Sequence, residues 1–302
     1  MPERFFCAQA AQDRGESLFG TAPTVLRWLL LEHPKAWSAK GLPDDRLAPE
    51  IQAHLARLTQ SIARSRALMI RQHHVRHDQL RFFSLLTAER ESRTTALSLS
   101  CYDDLLGWDA VALTGDSAAQ SWTEPLYLVC THGKHDKCCA KFGHATYTAL
   151  RKCAAPAVWE CSHVGGDRFA ANVLCLPHGI YYGHVPPEEA AQLIAKYKAG
   201  ELSLKHYRGR SCYSRMVQAA EYYIRLESGL LGIDELALLD SMELNSGSRR
   251  VRFHSRVNGR VYTAEVRVRE NAFEARMTCH ARAPQPVRGY ELCSYSESSP
   301  AQ

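Results

Sequence analysis

The chain has 302 residues, 45% of them hydrophobic and 23% charged, with a net charge of +5, the composition of an ordinary globular protein with room for one large core or several small ones. The mildly basic balance suits acidic partners without demanding nucleic acid, and there is neither a lysine-rich tail nor the basic–aromatic interleaving of single-strand binders. The apolar stretch at 28–31 ends at Glu32 and is far too short to span a bilayer, and no apolar run follows the first residues, so the expected setting is cytoplasmic, where the 11 cysteines are not expected to form disulfides.

In chain order, residues 25–31 form a compact apolar run and predict a buried strand. Residues 45–62 carry Leu47, Ile51, Leu55, Leu58 and Ile62 at helical spacing and predict an amphipathic helix. Strands are expected at 67–71, 80–87 and 95–100, the last two separated by a charged turn at 89–93. The same order then recurs. A strand is expected at 125–130, a helix at 139–152 and a strand at 157–161. A hairpin follows at 169–176 and 180–184 through Pro177-His178-Gly179, and Pro186-Pro187-Glu188-Glu189 opens a helix through 197, proline and acids both suiting a first turn. Two blocks in one order predict an internal duplication. After a basic linker at 205–210, a third block is expected to hold a helix at 216–228 and strands at 251–254, 261–268, 273–280 and 287–293, with a hairpin at Asn258-Gly259 and a frayed Ser-rich end at 294–302. The fold class read from this order is α/β (α+β): tandem thioredoxin-like αβ layers with mixed sheets plus a small C-terminal α+β unit. The corresponding domains are 1–115, 116–205 and 206–302.

Cys7, Cys101, Cys153, Cys175, Cys212 and Cys293 read as small buried hydrophobes. Cys130, Cys138, Cys139, Cys161 and Cys279 differ, each lying beside another cysteine or within two residues of a histidine. Residues 130–139, Cys-Thr-His-Gly-Lys-His-Asp-Lys-Cys-Cys, place three thiols, two imidazoles and a carboxylate in a loop leading from a strand into a helix. Thiols at a helix N-terminus beside lysines ionise easily and serve as soft ligands or nucleophiles. The second cluster, 160–168, has His163 and Asp167 four apart across Gly165-Gly166, where the backbone is free to curl around a bound group. His73, His74 and His77 read as a solvated loop, and Tyr181, Tyr182, Tyr222 and Tyr223 as packing.

Residues 173–189, Val-Leu-Cys-Leu-Pro-His-Gly-Ile-Tyr-Tyr-Gly-His-Val-Pro-Pro-Glu-Glu, resemble the closing hairpin of thioredoxin-like 2Fe–2S ferredoxins, with their Pro-x-Gly-x-aromatic-Tyr-Gly turn and Pro-Glu helix start. Over 3–205 the chain is similar to the sucrase/ferredoxin-like family, in which histidines can replace the second cysteine pair. The resemblance implies an electron carrier rather than a stand-alone enzyme, with a 2Fe–2S cluster held by Cys130 and Cys139 from the first loop and by His163 and Asp167. Asp167 takes the fourth place by its count of ten residues before Pro177, where the family's histidine form has His-x3-His. Cys161, Cys138 and the Cys279-His280 pair stay open as fourth ligands, and Asp167 could instead orient His163.

Imidazole in place of thiolate removes negative charge, so the potential is expected above that of an all-cysteine ferredoxin. A histidine ligand is also expected to couple reduction to a proton; a flat potential between about pH 6 and pH 9 would rule that out. Lys134, Lys137 and Arg168 are expected to favour the reduced state and to guide a redox partner protein, an acidic flavoprotein reductase, with no nucleic acid or membrane involved. Of three rival functions, the sequence supports one and offers little for the others. A structural zinc site accepts the same donors. A thiol-based oxidoreductase lacks its Cys-x-x-Cys pair and has only Cys138-Cys139. A glycosidase needs two carboxylates flanking a pocket, and no such pair stands out.

Overall fold

The computed structural model describes all residues except 1–4, 43–45, 74, 76, 116–119, 246 and 300–302. Helix α1 is Cys7–Asp13, followed by β1 (Arg27–Glu32), α2 (Pro49–Ser61), β2 (Ser65–Arg71), β3 (Leu80–Thr87), β4 (Ser92–Leu99), α3 (Ala110–Thr114) and β5 (Gln120–Ser121). The second half continues with β6 (Leu126–Cys130), α4 (Lys137–Ala154), β7 (Val158–Cys161), β8 (Val173–Leu176), β9 (Ile180–Tyr182), α5 (Ala190–Lys198) and β10 (Tyr207–Arg210). Helix α6 (Arg215–Ser228) precedes β11 (Leu236–Asn245), β12 (Ser248–Ser255), β13 (Val261–Ala275) and β14 (Gln285–Ser298).

Among the described residues the first ten strands form a single mixed sheet in the order β10-β9-β8-β6-β7-β2-β1-β3-β4-β5. Each half repeats one arrangement. β1 pairs parallel with β2 and antiparallel with β3, and β6 pairs parallel with β7 and antiparallel with β8. The halves meet where β2 and β7 pair antiparallel, Ile70 opposite Cys161 and Arg71 opposite Glu160. The expected repeat of order is therefore present, but its two copies share one sheet.

Strand parity explains the layering, because successive side chains point to opposite faces. Trp28 and Leu30 join Leu126, Leu128, Cys130, Trp159 and Tyr181 in one apolar cluster that runs under both halves. Leu29 and Leu31 face the other way onto Ile51, Leu55 and Leu58 of α2, while Tyr127 and Val129 face Tyr147 and Leu150 of α4. Central strands covered on both faces must be apolar throughout, which is why Trp28, Leu29, Leu30 and Leu31 are all fully buried. Each such side chain contributes about 1.5–3 kcal/mol by leaving water.

The seam between the halves is polar. Glu160, buried on β7, accepts from Arg71 Nε of β2 (2.7 Å) and lies 2.9 Å from His73 Nε2 and 3.0 Å from His144 Nδ1. Burial pushes the Glu160 carboxyl up, but hydrogen bonds from His144 and Arg71 outweigh it and hold the group below the ordinary glutamate value. A carboxyl depressed by folding adds stability above its unfolded pKa and loses it as the pH falls through the folded one. Glu160→Gln is therefore expected to cost about 2 kcal/mol at neutral pH, less than a fully buried pair because its partners keep some solvent contact. In urea unfolding the gap from the parent should be full at pH 7 and close below about pH 4; equal stabilities at pH 7 would contradict this role.

The C-terminal unit is a separate antiparallel sheet, β11-β12-β13-β14. Its inner face, with Val251, Phe253, Tyr262, Ala264 and Val266, packs on Val217, Ala220 and Ile224 of α6.

Several expectations need correction. Residues 207–210 are a buried edge strand rather than part of a linker. Arg208 is tolerated there because its guanidinium is spent on the oxygens of Thr21, Gly165 and Asn172, whereas Arg210 donates from Nη1 to Ile233 O and its Nε is buried without a partner among the described residues. The strand expected at 273–280 stops at Ala275, and the end expected to fray is strand through Ser298, because β13 is long enough to pair with it. Helix α1 and strand β11 have no counterpart in the sequence expectations. Cys101, Cys153 and Cys293 are exposed rather than buried, and Cys212 is intermediate. Position 45, where the amphipathic helix was expected to begin, and His74 lie outside the described residues.

Candidate metal centre

Strand β6 ends at Cys130, and the loop after it turns back into α4, whose first turn carries Cys138 and Cys139. Asp136 is the N-cap, its Oδ1 accepting from Cys138 N at 2.8 Å. The helix passes so close to the strand end that a Cβ on Gly143 would lie 2.1 Å from the carbonyl oxygen of Cys130. That contact brings the two thiols together.

The neighbouring strand β7 leads into the loop with His163 and Asp167. Gly165 (φ 97°) and Gly166 (φ 85°) take left-handed conformations that glycine adopts freely, and they curl the chain so that His163 and Asp167 face one point. Of the four residues singled out from the sequence, Cys130, Cys139 and His163 meet there, and Asp167 joins through Cys139 and His163. His163 Nδ1 lies 4.0 Å from Cys130 Sγ and 3.9 Å from Cys139 Sγ. Asp167 Oδ1 lies 3.2 Å from His163 Nδ1 and accepts from Cys139 Sγ at 3.3 Å.

Of the other proposed fourth ligands, Cys161 pairs with Cys130 across β6 and β7 and packs in the same apolar cluster, with Leu30 and Ile70. Cys138 and Cys279 turn away to contact each other, and His280 is exposed. Consecutive helical residues point about 100° apart, which separates Cys138 from Cys139.

Burial is graded across the centre. Cys130 and Cys139 are fully buried, whereas His163 keeps 16% of its side-chain surface. His135 stacks on His163 with ring centroids 3.8 Å apart, and the two rings line a cavity of about 460 Å³ together with Lys40, Gln52, Arg66 and Ser162.

The electrostatics follow from these contacts. A hydrogen bond from Cys139, which outweighs burial, and one from His163 hold the Cys130 thiol well below its ordinary value. Cys139, which gives that hydrogen bond, is pushed well above it. Burial pushes Asp167 up, yet His135 and His163 keep it below the usual carboxylate range, and the bond to Asp167 raises His135.

Positioning residues come from both halves, and the sequence did not single them out. Arg66 of β2 donates to His163 O (2.7 Å) and Val164 O (3.1 Å). His132 Nδ1 accepts from His163 N (3.3 Å), so its proton sits on Nε2, which donates to Ser38 O (2.7 Å); burial lowers its pKa and keeps that neutral form. Arg208 Nη1 donates to Gly165 O and Asn172 Oδ1 and fixes the base of the loop. An arginine in a basic stretch carries no sequence mark of such a task. The histidines of 130–139 were visible as a cluster, but not which of them would position rather than ligate.

The family model for sucrase/ferredoxin-like proteins matches residues 18–209, more than half of the chain. The chain belongs to the sucrase/ferredoxin-like family. The matched stretch of this family member includes β1 to β9 and both loops of the centre. Among solved structures it is similar to the thioredoxin-like [2Fe-2S] ferredoxin from Aquifex aeolicus, with 19% identity, a TM-score of 0.25 and coverage of 28% of this chain and 91% of that one. It is also similar to two cysteine-to-serine variants of that ferredoxin, each with 18% identity, a TM-score of 0.26 and coverage of 29% of this chain and all of the other. No curated protein matches. No helix among the described residues is long and apolar enough to cross a membrane.

Proposed function

We propose that the second half of the sheet is a thioredoxin-like ferredoxin layer whose centre, Cys130, Cys139, His163 and Asp167, holds a 2Fe–2S cluster and passes single electrons between a reductase and an acceptor protein. The observation that carries this is the convergence of two buried thiols with an imidazole and a carboxylate from two separate loops, on a chain of the sucrase/ferredoxin-like family. The donor set fits the group. Soft thiolates sit on the dry side, and the neutral imidazole of His163 on the side that meets the cavity, with the Asp167 carboxylate buried behind it. When bound, such a cluster supplies one-electron transfer at a potential raised by the imidazole.

The chain's own residues do the rest. The apolar cluster around Cys130, Cys139 and Cys161 excludes water from the thiolate side. Arg66 and His132 hold the His163 backbone, and the stacked His135 and His163 rings, both partly exposed, lead from the centre to the surface. Lys40 and Lys134 are exposed beside this face and suit an acidic flavoprotein partner; Arg168 is instead buried and paired with Glu16 at 2.5 Å, so its charge is spent.

One observation favours a second function, a structural zinc site. Cys130, Cys139 and His163 present donor atoms that all lie within 4.8 Å of one another, a spacing that suits a single tetrahedral ion. Stepwise reduction under argon, followed by electron paramagnetic resonance, separates the two. The ferredoxin function predicts uptake of one electron per chain and a paramagnetic reduced state. A chain that takes up none and stays silent contradicts it.

A further inference from the structure

A second cluster of donors lies on the other side of the α4 start. Cys138 Sγ stands 3.2 Å from Cys279 Sγ and 3.6 Å from Cys7 Sγ, and Cys7 and Cys279 are themselves 3.6 Å apart. The three thiols make a nearly equilateral triangle. They come from the first residue of α1, the first turn of α4 and the β13–β14 loop, segments more than a hundred residues apart in sequence. Asp136 completes the set, its Oδ1 4.0 Å from Cys7 Sγ, and all four donor atoms lie within 4.8 Å of one another. Cys7, Cys138 and Asp136 are buried to 1% exposure or less.

We propose that Cys7, Cys138, Cys279 and Asp136 form a second metal site, distinct from the Cys130 centre, that binds zinc and ties α1 and the C-terminal sheet to the start of α4. Four features support it. First, ligands of one tetrahedral ion at about 2.3 Å from each sulfur stand a little under 4 Å apart, close to the observed triangle. Second, three thiols in mutual contact cannot all be satisfied by a disulfide, which would leave one over.

Third, backbone N–H groups point at sulfur, Ala8 N to Cys138 Sγ (3.4 Å) and Cys7 N to Cys279 Sγ (3.5 Å), as befits thiolates needing compensation. Fourth, the Asp136 carboxylate is fully buried, and the hydrogen bonds it accepts come from the backbone N–H groups of Cys138 and Cys279 and from cysteine thiols. A buried carboxylate with no cationic side chain beside it calls for a positive charge, and a divalent ion supplies one. The set lacks an exchangeable open position, so its role is structural. The apolar shell of Phe5, Phe6, Phe142 and Ala170 would keep the ion dry.

The test uses the full chain purified without chelator. Elemental analysis should find one zinc per chain beyond whatever metal the Cys130 centre holds. Cys7→Ser and Cys279→Ser should each lose that zinc, while iron content reports separately on the other centre. Because a variant that fails to fold would also lose metal, zinc-edge X-ray absorption on the native chain provides the second measurement, with three sulfurs at about 2.3 Å and one light atom expected. A native chain without zinc, unchanged zinc in both variants, or a zinc shell without three sulfurs would each overturn the proposal.

Discussion

Cys130→Ala and Cys139→Ala are each expected to purify as folded protein without visible colour. Both thiols are fully buried in an apolar cluster, so removing one sulfur leaves a small void worth about 1 kcal/mol, which a domain with this much core survives. The loss falls on the centre instead. Cys130 ends β6, where the parallel pairing with Cys161 fixes its position, and Cys139 is set by the helix cap. The neighbouring Cys138 points to Cys7 and Cys279 and is not a substitute. Absorbance in the visible and acid-labile sulfide should both fall to background. An intact cluster in both variants would remove Cys130 and Cys139 from the ligand set.

Gly143→Ala is expected to do comparable damage by a different route. An alanine inside a helix normally gains about 1 kcal/mol over glycine. Here the added methyl would lie 2.1 Å from the Cys130 carbonyl oxygen and 3.1 Å from its carbon. Backbone cannot yield as a flexible side chain can, so either α4 lifts from β6 or the strand end is displaced. A cost of about 3 kcal/mol is expected, with weaker cluster retention, because the same displacement separates Cys139 from Cys130. Urea unfolding beside iron content checks both parts; an alanine variant as stable as the parent would show that the close approach does not hold the site together.

Much of this was legible in the sequence because it rests on local rules. The apolar runs of β1 and β6, the helical spacing of Leu47 to Ile62 and the repeated order of elements all reflect side chains meeting their nearest neighbours. The Cys–His density of 130–139 and of 160–168 was visible in the residues themselves, but the set Cys130, Cys139, His163 and Asp167 came from the family resemblance, Asp167 by its count of ten residues before Pro177. What escaped depends on long-range packing. Cys7 looked like any small apolar residue until α1 was laid against the α4 start. Arg208 and Arg210 read as linker charges, since their oxygen partners at Thr21, Gly165 and Ile233 are distant in sequence. The joining of the two halves through β2 and β7 involves only two residue pairs and leaves no periodic trace. The contribution of the first half to the centre, through Arg66, is invisible for the same reason.

The central claim is that Cys130, Cys139, His163 and Asp167 bind an iron–sulfur cluster. Iron and acid-labile sulfide, determined per chain on protein prepared without oxygen, test it most directly. The account predicts two irons and two sulfides, in a reddish protein. Zinc at this centre, with no sulfide and no colour, would contradict it.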